Sequence, residues 1–146
     1  MARARYTVAI LLLILATPLA AQGTPIGLWR SISDVDGKPT ALVEISKKGG
    51  SLSGIVKEIL VPTDSADRFC GHCTGDRKDK PIMGMQIVWD MRPDGDGWSG
   101  GSILDPDNGK IYKGKIWLSD NGKKLIVRGF IGIPLFGRSQ TWLRVE

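Results

Sequence analysis

Residues 110–130 read KIYKGKIWLSDNGKKLIVRGF, which is two extended runs joined by a short polar turn. Positions along the first run alternate between two faces. One face carries Tyr112, Gly114, Ile116 and Leu118, and the other carries Lys113 and Lys115. This period of two predicts a β-strand with one buried and one solvated face. The turn contains Asn121 and Gly122, a pair that tolerates the positive φ angles of a tight hairpin. The stretch therefore predicts two antiparallel neighbouring strands.

The same pattern extends over the rest of the chain, and no window shows sustained apolar spacing of the helical kind. Turn residues separate the runs at Asp36-Gly37, Gly49-Gly50, Asp94-Gly95-Asp96-Gly97 and Asp107-Asn108-Gly109. The predicted strands are Leu28 to Ser33, Thr40 to Ser46, Ser51 to Val61, Ile82 to Asp90, Trp98 to Leu104, Lys110 to Ser119, Lys123 to Phe130 and Gln140 to Val145.

Eight strands joined in sequence indicate an all-β, antiparallel up-and-down meander. An open meander leaves two exposed edges, whereas closing the sheet into a barrel removes both. We therefore favour an eight-stranded barrel over an open sandwich. The interior of so small a barrel is either packed solid or holds one small ligand.

The N-terminus has the form of a secretory signal peptide, predicted as residues 1–21. Arg3 and Arg5 precede an apolar run over residues 6–15, and small residues lead to a cleavage site after Ala21. The run is well short of the ~20 residues that span a bilayer, so no stable membrane anchor is expected after cleavage. Residues 22–146 would then form one barrel domain, exported to the periplasm or secreted.

The charge distribution does not indicate a nucleic-acid-binding protein. The whole chain has a formal net charge of +5, and removal of Arg3 and Arg5 leaves 18 basic residues against 15 acidic ones. Charges of both signs alternate from Asp64 to Lys80. A nucleic-acid interface would instead need a one-sided basic face.

Several segments resemble known proteins. Gly27-Leu28-Trp29 is similar to the Gly-x-Trp of lipocalins, and Trp142-Leu143-Arg144 places a basic residue in the last strand. Residues 80–85, 98–112, 125–132 and 135–142 resemble the bacterial domain-of-unknown-function family 2147 (DUF2147), small exported proteins with a lipocalin-like barrel. The resemblance implies this fold and an exported location, and it supplies no catalytic residues. It also implies that the Arg144 guanidinium lies across the Trp29 indole and closes one barrel end.

Cys70-Gly71-His72-Cys73 has the spacing of a redox-active Cys-x-x-Cys centre. The surrounding sequence is turn-like and lacks the βαβ pattern of a redox domain. We favour a local disulfide in an oxidising compartment, with redox exchange and metal binding as alternatives. Two thiolates and one imidazole are too few for a closed zinc site, so no metal is expected.

The sequence offers no convincing catalytic site. Residues 97–101 match Gly-x-Ser-x-Gly, but they open a strand, and the only histidine of the chain is His72. A serine hydrolase needs a strand-to-helix turn and a histidine base. Residues 105–109 suggest calcium, yet Ile116 stands where an EF-hand has its closing Glu. We predict no enzyme activity and no cofactor.

The remaining candidates are apolar side chains that would contact a ligand. Met83, Met85 and Trp89 share one face if the strand from Ile82 is regular, and adaptable Met side chains suit a lipid-like guest. Tyr112 and Phe136 complete the predicted ligand-binding set. Phe136 ends an apolar stretch from Ile131, which is either a lid or a plug at one barrel end.

We therefore predict an exported, non-catalytic binding protein for a small apolar or amphipathic ligand. The alternative is a packed barrel that serves as an envelope interaction or structural module, with a protein or glycan as partner. A continuous cavity would favour the first function, and a filled interior with an exposed apolar loop would favour the second.

Overall fold

The structure, a computed structural model, describes residues 23–61 and 68–145. The predicted signal peptide, residues 1–21, lies outside them. The described residues contain eight strands. They are β1 (Gly27–Ile32), β2 (Pro39–Lys48), β3 (Ser51–Ile59), β4 (Gln86–Asp94), β5 (Gly97–Asp105), β6 (Lys110–Ser119), β7 (Lys124–Phe130) and β8 (Gly137–Arg144). Two single 3₁₀ turns, Gly75–Arg77 and Asp120–Gly122, lie between strands.

The strands form a closed antiparallel barrel in sequence order, which confirms the predicted fold class. Closure comes from pairing of β1 with β8, where Trp29 lies opposite Arg144 and Ser31 lies opposite Trp142. The predicted turns also occur: Gly37, Gly50, Gly95, Gly109 and Gly122 all have positive φ angles. Among residues 23–61 and 68–145, no helix is long and apolar enough to cross a membrane.

Strand β4 differs from its predicted position. It begins at Gln86 rather than Ile82, because Met85 N–H donates to the Ile82 carbonyl in a turn that Gly84 makes with a φ of 86°. It continues to Asp94, where the hairpin to β5 begins. Other predicted strand ends also differ: β2 ends later, at Lys48, β3 ends earlier, at Ile59, and β8 starts earlier, at Gly137.

The two ends of the barrel differ in how they are filled. At the end that holds the β2–β3, β4–β5 and β6–β7 turns, the interior is packed with side chains that are at most 1% exposed, namely Trp29, Ile45, Leu52, Met91, Ile116 and Leu125. We call this the closed end. The opposite end holds the β1–β2, β5–β6 and β7–β8 connections together with the described residues between β3 and β4, and we call it the open end.

Candidate functional site

A cavity of about 650 Å³ occupies the half of the barrel toward the open end. Its inner wall is built from side chains that alternate inward along the strands. The apolar part of this wall includes Val43, Val56, Ile87, Ile103, Val127 and Trp142. The packed residues of the closed end lie on one side of the cavity, and residues of the open-end connections, such as Phe69, His72 and Pro106, line its other side.

Polar side chains lie among the wall residues nearer the open end. The hydroxyl groups of Ser31 and Thr40 are 2.6 Å apart, and Ser31 Oγ also accepts a hydrogen bond from the Ala41 N–H at 3.0 Å. Tyr112 lines the cavity too, and its hydroxyl oxygen accepts a hydrogen bond from Asn108 Nδ2 at 3.0 Å. The cavity thus combines an apolar interior with hydrogen-bonding groups toward its opening.

The one guanidinium among the described residues lining the cavity belongs to Arg138 in β8. It donates from Nε and Nη2 to the two carboxylate oxygens of Asp34, at 2.9 and 2.7 Å. This bidentate pair lowers the pKa of Asp34, chiefly through the hydrogen bonds from Arg138. It also raises the pKa of Arg138, with smaller contributions from nearby Asp105 and Tyr112. No local sequence pattern predicts this ion pair, because the two residues are 104 positions apart in the chain.

Cys70 and Cys73 are bonded to each other, as the sequence predicts. Both are nearly fully buried, at 0% and 3% exposure. The two residues between them, Gly71 and His72, line the cavity at its opening. The loop lies against the β5–β6 connection, where a Cβ atom on Gly109 would overlap the His72 carbonyl group. The disulfide therefore shapes part of the cavity rim, and its burial disfavours the redox-exchange alternative.

Of the five predicted ligand-contacting residues, Tyr112 lines the cavity and the other four do not. Met83 is 62% exposed in the turn before β4, and Met85 is buried just outside that strand. Ile87 and Val88 are consecutive buried residues at a register shift between β3 and β4. This shift breaks the regular alternation on which the prediction for Trp89 rested.

Trp89 and Phe136 occupy different surroundings. Trp89 is half-buried, with the guanidinium carbon of Arg77 4.5 Å from its ring centroid. Phe136 is 71% exposed in the β7–β8 connection. Its neighbours Ile131, Ile133 and Leu135 are exposed as well, so this segment does not plug the barrel.

The predicted barrel-closing pair lies at the closed end. The guanidinium carbon of Arg144 is 4.2 Å from the Trp29 ring centroid. Arg144 also donates hydrogen bonds to the carbonyl groups of Gly122, Ile26 and Thr24. It thereby ties β8 to the β6–β7 turn and to the segment that precedes β1.

The sequence motifs for catalysis and metal binding do not form such sites in the described part of the chain. Ser99 lies within β5, where its hydroxyl group donates to Asp94 at 2.7 Å, and it does not line the cavity. Within residues 23–61 and 68–145, no group of three or more His, Cys, Asp or Glu residues is arranged to hold a metal ion.

Comparisons with known proteins agree with this architecture. The family described as "Uncharacterized protein conserved in bacteria (DUF2147)" matches residues 27–144. Among solved structures, the chain is similar to protein HP1028 of Helicobacter pylori, which is described as belonging to the lipocalin family. The two share 15% sequence identity with a TM-score of 0.71, over 83% of this chain and 82% of that one. A search of the curated proteins found no match.

Proposed function

The chain belongs to the DUF2147 family of bacterial proteins, and on that premise we propose that it is a non-catalytic binding protein for one small apolar or amphipathic molecule. The cavity at the open end carries this proposal. Its volume of about 650 Å³ lies in the range of about 300–1,000 Å³ that is usual for small-molecule sites. A mainly apolar wall with a few convergent polar groups is also typical of such sites.

The chemistry of the cavity supports binding rather than catalysis. Ser31, the buried hydroxyl group in the wall, is hydrogen-bonded to Thr40 and to the backbone of Ala41. A nucleophilic serine would instead need a base within hydrogen-bond reach. Asp34 and Arg138 form an ion pair with each other, and the effect of the pair is to hold the Asp34 carboxyl group ionised.

We further propose that the protein works outside the cytoplasm. The disulfide between Cys70 and Cys73 is of a kind that persists in oxidising compartments such as the bacterial periplasm. This agrees with the signal peptide expected from residues 1–21.

The proposal is tested by filling the cavity. Ala41 lines it, whereas Leu42, the next residue of β2, does not. Native mass spectrometry of protein purified from its own envelope first establishes whether a small molecule co-purifies. Binding of a fluorescent apolar probe is then titrated in Ala41→Trp and Leu42→Trp, with circular dichroism to verify that both are folded.

We expect Ala41→Trp to weaken probe binding at least tenfold, because an indole at residue 41 would take up space inside the cavity. Leu42→Trp places the same indole on the neighbouring residue of the strand, which does not line the cavity, and should bind as the wild type does. Equal binding by both folded variants, or no binding by the wild-type protein, would overturn the proposal.

The second candidate function is contact with a partner through the β7–β8 connection. Ile131, Ile133, Leu135 and Phe136 are each more than half exposed there, and such apolar patches often mark interaction sites. This function does not need the cavity. It would be favoured if Leu135→Ser abolished a complex formed in the envelope while probe binding stayed unchanged.

A further inference from the structure

We infer that the cavity takes a single-chain amphiphile whose head group is uncharged and carries hydrogen-bond-accepting oxygens, in preference to a free fatty acid. This inference rests on the proposed binding function and specifies the ligand class. It concerns the chemistry of the cavity opening, where three groups matter: the Arg138–Asp34 pair, the Tyr112 hydroxyl group and the Asp105 carboxylate.

The cavity has a polarity gradient that fits an amphiphile. Wall residues closer to the closed end are aliphatic, as at Val43, Val56 and Val127. Residues at the strand ends nearest the opening include Tyr112 and Arg138. An aliphatic chain that enters first would replace water along the apolar wall, and its polar end would stop beside the polar groups.

Two hydrogen-bond donors are placed to meet that polar end. Arg138 uses Nε and Nη2 in its pair with Asp34, and Nη1 takes no part in that pair. Tyr112 accepts a hydrogen bond through its oxygen from Asn108, so that bond does not use its own hydroxyl hydrogen. A carbonyl, ester or hydroxyl oxygen on the ligand can accept from either donor.

The same groups disfavour a carboxylate head. Asp34 already neutralises the charge of Arg138 in a bidentate pair, so an added carboxylate would gain little from the positive charge of the guanidinium. Asp105, which also lines the cavity, is bound by two neutral donors, the Asp107 N–H and Asn108 Nδ2, which leave its negative charge in place. A ligand carboxylate would therefore enter next to existing negative charge.

The test compares three probes with the same twelve-carbon chain: the glycerol monoester, the free acid and the trimethylammonium. Each is titrated against the folded mature protein at pH 7.5, below its micelle concentration, by displacement of a fluorescent apolar probe. We expect the monoester to bind at least tenfold more tightly than the free acid, and more tightly than the cation.

Two variants assign the preference to these residues. Tyr112→Phe removes one donor and keeps the ring, so monoester affinity should fall about three- to tenfold. Asp34→Asn releases Arg138, so free-acid affinity should rise at least fivefold. Asp36→Asn is the matched control, because Asp36 lies in the same β1–β2 connection but pairs with Lys38, whereas Asp34 pairs with the cavity-lining Arg138.

The outcomes separate this inference from the proposed function. Binding of the three probes with equal affinity, or tightest binding of the acid or of the cation, would overturn the inference and leave a binding barrel. Failure of all three probes and of the apolar reporter to bind would overturn the binding function itself. An unchanged preference in both folded variants would show that the assigned residues do not set it.

Discussion

The side chain of Met91 in β4 lies so close to Gly114 in β6 that a Cβ atom at residue 114 would overlap the terminal methyl group of Met91. Met91 is fully buried, and Ile103, which lines the cavity, is the next side chain near residue 114. The absence of a side chain at Gly114 therefore lets Met91 reach across the barrel interior. Neither Met91 nor Gly114 lines the cavity, so the contact belongs to the packed half of the barrel.

Gly114→Ala should consequently displace Met91 and lower the free energy of unfolding by about 1–3 kcal/mol, the usual cost of overpacking a core. Urea unfolding measures the change. A double-mutant cycle with Met91→Ala tests the cause, because the shorter side chain removes the overlap. If the unfolding free-energy losses of the two single variants simply add in the double variant, the overlap with Met91 does not cause the loss in Gly114→Ala.

Trp29→Ala should cost about 3–5 kcal/mol of unfolding free energy, as a large-to-small change at a fully buried site. Arg144→Lys should cost less than this but more than nothing, because an ammonium group neither stacks on the indole nor reproduces the three bonds to backbone carbonyls. Urea unfolding measures the loss of unfolding free energy in each of the two variants. A negligible loss for Trp29→Ala would contradict the role assigned to this pair.

Replacing Cys70 and Cys73 together with Ser should leave the barrel folded. The bridge closes a very short loop, for which the chain-entropy estimate is only about 2 kcal/mol. Because Gly71 and His72 line the cavity, ligand affinity should fall more clearly than stability. Near-ultraviolet circular dichroism and hydrogen exchange over residues 68–85 follow the two effects. Collapse of the whole near-ultraviolet spectrum would mean that the bridge supports the fold.

Local sequence patterns were sufficient to predict the barrel. The alternation of side chains within a strand and the Asx-Gly pairs between strands are both visible within a few residues of sequence. Because hairpins join these strands, strands that are neighbours in the sequence are also neighbours in the sheet. The prediction failed at β4, where the Gly84 turn and the register shift beside Ile87 and Val88 break the alternation. Such irregularities depend on the partner strand, so one strand's own pattern does not reveal them.

The candidate site was less predictable than the fold. Tyr112 could be chosen because it is an aromatic residue on the apolar face of a regular strand. Asp34 lies in a polar, turn-like stretch before Gly37, and neither it nor Arg138 belongs to a motif that predicts a binding site. The contact between them forms only when the barrel closes and brings β8 beside β1. Long-range pairing of this kind leaves no local trace in the sequence.

The Asp34–Arg138 pair should make stability depend on pH. Its hydrogen bonds lower the folded-state pKa of Asp34 below the ordinary aspartate value of about 3.9. A depressed pKa stabilises the folded state above the unfolded-state value. This contribution is lost as the pH falls through the folded-state pKa.

Asp34→Asn should therefore reduce the unfolding free energy at pH 7 by about 0.2–1 kcal/mol, the range for a partly exposed ion pair. The difference from the wild type should shrink steadily below about pH 4, where the wild-type carboxyl group itself becomes protonated. Urea unfolding between pH 2.5 and 7 measures it, with Arg138→Gln as the reciprocal variant. Because the pair is partly exposed, 1 M salt should also reduce the pH 7 difference. A deficit of the same size at pH 3 and pH 7 would instead assign the effect to lost packing in the β1–β2 connection, and the ion pair would then contribute nothing to stability.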